Sequence, residues 1–127
     1  MTDTMLLEFA DKVMEHAYAP YSGFKVGAAL LCTDGTVFTG CNIENASYGV
    51  CNCAERTAVF KAVSEGYRDF SAIAIVSSGG GETFPCGVCR QVLAEFAPHI
   101  RVILRDSDNN VRSYKFEEIM PYIFSLK

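Results

Sequence analysis

A chain of 127 residues, 50% hydrophobic and 20% charged, can close one core without covalent staples, so a single domain over residues 1–127 is expected. A formal charge of -4 and a pI near 5.1 argue against a protein that tracks a phosphate backbone, which leaves a small molecule rather than nucleic acid as the expected partner. No apolar stretch approaches the ~20 residues that span a bilayer, and the amino terminus lacks the order of a signal peptide, so the expectation is a cytoplasmic protein with no membrane partner.

Leu6, Phe9, Ala10, Val13, Met14 and Ala17 recur at three- and four-residue spacing, which predicts a helix from about Thr4 to Tyr18, ended by Pro20 and Gly23. Lys25 to Cys32 and Thr36 to Cys41 are β-rich runs flanking Asp34-Gly35, a hairpin signal. Asn42 to Gly49 is polar and reads as loop. Cys53 to Glu65 reads as a helix with Ala54, Ala58, Val59, Ala62 and Val63 inward and Gly66 as its stop. Ala72 to Val76 is an apolar run of strand length. Gly79-Gly80-Gly81 forces a loop, Pro85 opens a helix near Cys86 to Phe96, and Pro98 lies beyond its end. Arg101 to Arg105 and Val111 to Tyr114 are the last strands, around the turn residues Asp108, Asn109 and Asn110. This order predicts an α/β fold, a mixed sheet with helices against its faces.

Six cysteines in a short chain could form a disulfide framework, but that needs a secreted context and a core too small to stand alone. The grouping fits metal binding better: Cys51 with Cys53, Cys86 with Cys89, and Cys32 and Cys41 apart. A catalytic zinc takes three protein ligands and keeps a fourth position open. Cys86 and Cys89 have the two-residue gap that lets both sulfurs reach one ion from a helix's first turn, and Cys53 supplies a third thiolate from the other helix start. Unpaired N–H groups at a helix start favour the thiolate that zinc needs.

Glu55 shares the helix start with Cys53 and is placed to act as a base rather than a ligand, moving protons for a water at the open position. Taken singly, these features have plainer readings: a Cys-x-x-Cys can be half of a structural zinc knuckle or a redox pair, and a first-turn glutamate complements the helix dipole. A structural site would want a fourth ligand. His16 and His99 have no ligand-like spacing, which leaves Cys51 as the one rival.

Cys53-Ala54-Glu55 followed by Pro85-Cys86-Gly87-Val88-Cys89 resembles the signature of the zinc nucleoside and nucleobase deaminases. Phe24-Lys25-Val26-Gly27-Ala28, Asn42-Ile43-Glu44-Asn45-Ala46 and Cys53-Ala54-Glu55-Arg56-Thr57-Ala58 extend the likeness, over nearly the whole chain, to the short homotetrameric cytidine deaminases. The resemblance implies a three-layer α/β/α sandwich with a mixed five-stranded sheet, one zinc per subunit, and hydrolysis of cytidine and deoxycytidine. It also implies that Asn42 and Glu44 bind ribose hydroxyls, that Phe24 lies against the pyrimidine, and that backbone groups near Ala54 and Cys86 hold the base edge. Read as residues alone, Asn42 and Glu44 are loop residues and Phe24 is core. The resemblance further implies that Arg56 contacts the zinc thiolates and that a carboxy-terminal aromatic, here Phe124, closes a neighbour's site, with Tyr48 at the site or an interface. Blasticidin deaminases are similarly small three-cysteine zinc proteins, but the Phe24 and Asn42-Ile43-Glu44 pattern favours ribose recognition.

Overall fold

The computed structural model describes Met1–Lys127. Its elements, in chain order, are α1 (Asp3–Met14), β1 (Val26–Cys32), β2 (Val37–Cys41), a 3-10 turn (Tyr48–Val50), α2 (Ala54–Ser64), β3 (Phe70–Ser77), α3 (Gly87–Phe96), β4 (Arg101–Arg105), β5 (Val111–Lys115) and α4 (Phe116–Ile119). The strands form one five-stranded sheet in the order β2-β1-β3-β4-β5. Only β3 and β4 run parallel, and a parallel pair needs a crossover, which α3 supplies. The β1–β2 hairpin closes over Asp34-Gly35, where Gly35 has φ +94° and Asp34 Oδ1 accepts from Thr36 N at 2.9 Å.

Both faces of the sheet are covered, and the alternation of side chains shows how. Ala29, Ala72, Ala74, Val76 and Ile103 face α1 through Leu6, Leu7 and Ala10. Ala28, Leu30, Ile73, Ile75, Val102 and Leu104 face the opposite layer, packing with Ala54, Ala58, Val59 and Ala62 of α2 and Leu93 and Ala94 of α3. The result is the three-layer α/β/α sandwich that the resemblance implied, and the mixed sheet with helices on its faces that the element order predicted. Burying Leu6 and Leu7 is worth about 1.5–3 kcal/mol each. The bidentate Arg101–Asp3 and Arg105–Asp11 pairs, both partly exposed, add at most about 1 kcal/mol each, so apolar packing is what holds α1.

Two expectations for α1 are corrected. The helix ends at Met14 rather than near Tyr18, because Tyr18 is drawn into a bridge with Ile43 that no local pattern announces. Its inward stripe also contains Leu7, fully buried, in place of Phe9, which is 39% exposed. The alanine-rich sheet face lets the helix lie close enough to bury two adjacent leucines. At the carboxyl end, α4 was not expected; it places Phe116, 1% exposed, in the main core.

Candidate metal centre and substrate pocket

The site forms where α2 and α3 begin. Cys53 occupies the N-cap position of α2 and Cys86 that of α3, so both sulfurs lie beside the unpaired N–H groups of a first helical turn. Cys86 Sγ accepts from Cys89 N at 3.5 Å. The start of α2 is tied to the end of β2 by Thr57, whose hydroxyl lies 3.1 Å from Cys41 O and 3.2 Å from Cys53 O and accepts from Asn52 Nδ2 at 3.0 Å. The helix can approach that strand closely because β2 carries Gly40 at the crossing.

Cys53, Cys86 and Cys89 bring their sulfurs within 4.8 Å of one another. Tetrahedral bonds of about 2.3 Å from zinc to sulfur separate two sulfurs by about 3.8 Å. Cys53 Sγ and Cys86 Sγ are 3.8 Å apart, the spacing that two ligands of one ion require. Cys51, the rival fourth ligand, is engaged elsewhere: its sulfur accepts from Asn45 N at 3.2 Å and lies 3.6 Å from Asn45 O. Three sulfurs therefore surround the centre and leave one side open.

The protonation of these groups follows from their neighbours. The Cys53 thiol is pulled down by accepting from Cys89 and then from Arg56 and Cys86, against the effect of burial. Cys89 is pushed up because it is the donor of that pair and is buried. Arg56 Nη2 donates to Cys53 Sγ at 3.2 Å, while its Nε is buried without a partner. An unanswered cationic donor suits a centre whose three thiolates outweigh a divalent ion. Glu55 is the only buried charged residue, 5% exposed, and burial pushes its carboxyl up to about 7, with the charge of Cys53 acting in the same direction.

A cavity of about 400 Å³ opens over this floor, with Cys53, Ala54, Glu55, Arg56 and Cys86 in its lining. Phe24, Asn42, Glu44 and Tyr48 line it too, so residues distant in the chain are gathered in one pocket. Asn42 splices the loop to the sheet: Oδ1 accepts from Val26 N and Nδ2 donates to Phe24 O, each at 2.8 Å. Glu44 Oε1 accepts from Tyr21 N at 2.9 Å and Ser22 N at 3.1 Å, and Oε2 accepts from the Ser22 hydroxyl. These bonds hold the Glu44 carboxyl below the usual range, with Ser22 the main cause. Phe124 lies outside this pocket. The residue is 66% exposed, and its carbonyl accepts from Gln91 Nε2 at 3.0 Å.

Thr83, Phe84 and Asn52 also line the cavity and were not singled out by the sequence. Phe84 lies in an irregular segment with no periodicity to mark it. For Asn52, its place directly between the two cysteines at 51 and 53 was the available signal.

A three-thiol centre with a buried carboxylate at the floor of a pocket this size defines a zinc-dependent hydrolase acting on a small molecule. The chain belongs to the cytidine and deoxycytidylate deaminases: the family model described as "Cytidine and deoxycytidylate deaminase zinc-binding region" matches residues 1–104. It is 50% identical over 126 residues to a cytidine deaminase of Halalkalibacterium halodurans, covering 98% of this chain and 96% of the relative. A cytidine deaminase of Sporosarcina psychrophila is 49% identical over 121 residues, covering 94% of this chain and 89% of that one. Among solved structures, the cytidine deaminase of Burkholderia pseudomallei superposes with a TM-score of 0.92 at 52% identity, over 98% of this chain and 100% of that one. That of Mycobacterium tuberculosis gives 0.86 at 39% identity, over 99% of each chain. No helix of the chain is long and apolar enough to cross a membrane.

Proposed function

We propose that this protein hydrolyses the exocyclic amine of cytidine and deoxycytidine, giving uridine and deoxyuridine with release of ammonia. The observation that carries the reading is the Glu55 carboxylate buried beside three clustered thiols at the floor of a nucleoside-sized cavity.

Cys53, Cys86 and Cys89 would hold the zinc, and the ion, when bound, supplies Lewis-acid activation of water and positive charge beside the reacting carbon. Glu55 accepts a proton from the attacking water, donates one to N3 of the base, and later carries one to the departing amine. Its burial removes competing water, so each transfer passes through one carboxylate. Ala54 lines the same cavity at the first turn of α2, and its N–H would bond the base edge. Phe24 offers an apolar wall, while Asn42 and Glu44 offer acceptors and donors to vicinal hydroxyls. The carboxylate of Glu44 also disfavours a phosphate there, which selects nucleosides over nucleotides.

The chain is read as one domain acting in cytoplasmic pyrimidine salvage, as a homotetramer with sites near subunit boundaries. Exposed Tyr122, Phe124 and Leu126 support assembly, and Phe124 and Tyr48 are the residues assigned to those boundaries. Addition of cytidine to the zinc-loaded protein tests the activity: loss of cytidine absorbance with stoichiometric ammonia is expected, and absence of both would refute it.

A further inference from the structure

The segment between β3 and α3 builds part of the pocket yet has no backbone scaffold. Beyond the turn over Ser78–Gly79, no backbone N–H or C=O of Gly79–Pro85 bonds to another backbone group. Gly80 and Gly81 have φ of +70° and +73°, with open space where a side chain would stand. A stretch with those freedoms has no intrinsic reason to keep one shape. Even so, Thr83 and Phe84 line the cavity, and Gly79 backs Phe24 so closely that a Cβ there would lie 2.8 Å from Phe24 Cε1. Side-chain ties must therefore set this wall.

Thr83 Oγ1 donates to Ser77 Oγ at 2.6 Å, which ties the segment back to the end of β3, and Arg90 Nε donates to Pro85 O at 2.7 Å, which fixes its carboxyl end. Its middle is held from β5. The Tyr114 hydroxyl donates to the Glu82 carboxylate, and the Tyr114 ring meets that of Phe84 at a centroid distance of 5.3 Å and 57° between planes. Tyr114 is half-buried and packs against the main core, so it offers a fixed point rather than another mobile one. Its phenol is pushed up by the Glu82 bond, in keeping with a donor that stays protonated.

We propose that Tyr114 is a positioning residue of the substrate pocket: by clasping Glu82 and Phe84 together it fixes the Thr83–Phe84 wall, and with it the backing of Phe24. The proposal rests on the reading of this cavity as the nucleoside site. Tyr114 touches no reacting atom, so its loss weakens binding of the substrate more than the chemical step. Tyr114→Phe keeps the ring contact and removes only the hydroxyl. A net hydrogen bond of ordinary strength corresponds to about a three- to tenfold change in binding.

The test is steady-state deamination of cytidine by zinc-loaded protein, with KM and kcat resolved and thermal melts alongside. Tyr114→Phe and Glu82→Ala should each raise KM about three- to tenfold with kcat within about twofold. Glu82→Gln, whose amide oxygen still accepts from the phenol, should restore KM. The Tyr114→Phe/Glu82→Ala double variant should be no worse than either single change. An unchanged KM in Tyr114→Phe, equal damage from Glu82→Gln and Glu82→Ala, or strictly additive losses would overturn the clasp while leaving the enzyme's activity intact as a finding. If the zinc-loaded parent fails to turn over cytidine, the reading of the cavity falls and the proposal falls with it.

Discussion

Gly40→Ala offers a test of how the fold positions the chemistry. Gly40 lies in β2 where α2 crosses it, and a Cβ built there would stand 2.5 Å from Ala58 N, 2.6 Å from Ala54 O and 2.8 Å from Thr57 Cβ. Two of those three atoms are backbone, so no flexible side chain can swing aside. Ordinary contact begins at 3.4 Å, and α2 must therefore retreat by about 1 Å. Overpacking of this kind costs ~1–3 kcal/mol. For a chain of this length that amounts to a fall in Tm of roughly 5–15 °C. The displaced turn also carries Cys53 and Glu55, and a misplacement of about 1 Å in a catalytic group lowers the rate on the order of 10²-fold. Gly27→Ala is the control. There the added Cβ would collide with Ala10 O and lie 2.9 Å from Met14 N, so it pushes on α1, which contributes nothing to the pocket. Melting temperature and kcat for cytidine, with zinc content measured in each variant, separate the two effects. Gly40→Ala should lose both stability and kcat, Gly27→Ala only stability. Equal kcat losses in the two variants, or a Gly40→Ala enzyme with parental kcat, would refute the argument that this crossing positions Glu55.

Cys89→Ser should release zinc and lower Tm, since the ligands come from two separated helix starts and metal affinity is coupled to folding; stoichiometric zinc with unchanged melting would show that Cys89 is not a ligand. Glu44→Ala should reduce kcat/KM for cytidine much more than for free cytosine, because only the nucleoside presents hydroxyls; equal losses would assign Glu44 to the Tyr21–Ser22 loop alone. Arg56→Gln should lower kcat/KM in the parent and lower it far less once Cys53→His has replaced one thiolate by a neutral ligand, and a double-mutant cycle with zinc checked throughout would expose strictly additive losses.

The strands were legible in the sequence to within a residue or two, because β-rich runs and the Asp34-Gly35 turn are local signals. The starts of α2 and α3 were legible for the same reason, and the metal-centre residues lie at those starts. What was missed depends on partners distant in sequence. The end of α1 is set by the Tyr18–Ile43 bridge, and the inward turn of Leu7 by alanines on β1 and β3. Helix α4 is too short for a periodic signal, although Phe116 gives it a core anchor. Thr83 and Phe84 reach the pocket only through the shape of a glycine-rich segment, which local pattern does not encode.

The central claim is that Glu55 performs the proton transfers beside a three-cysteine zinc centre. Glu55→Gln tests it most directly, since the amide keeps the shape of the side chain but cannot accept the proton. With zinc content and fold verified, the account predicts that kcat for cytidine falls by about 10²- to 10⁴-fold. A zinc-retaining Glu55→Gln protein that deaminates cytidine at a near-parental rate would contradict it.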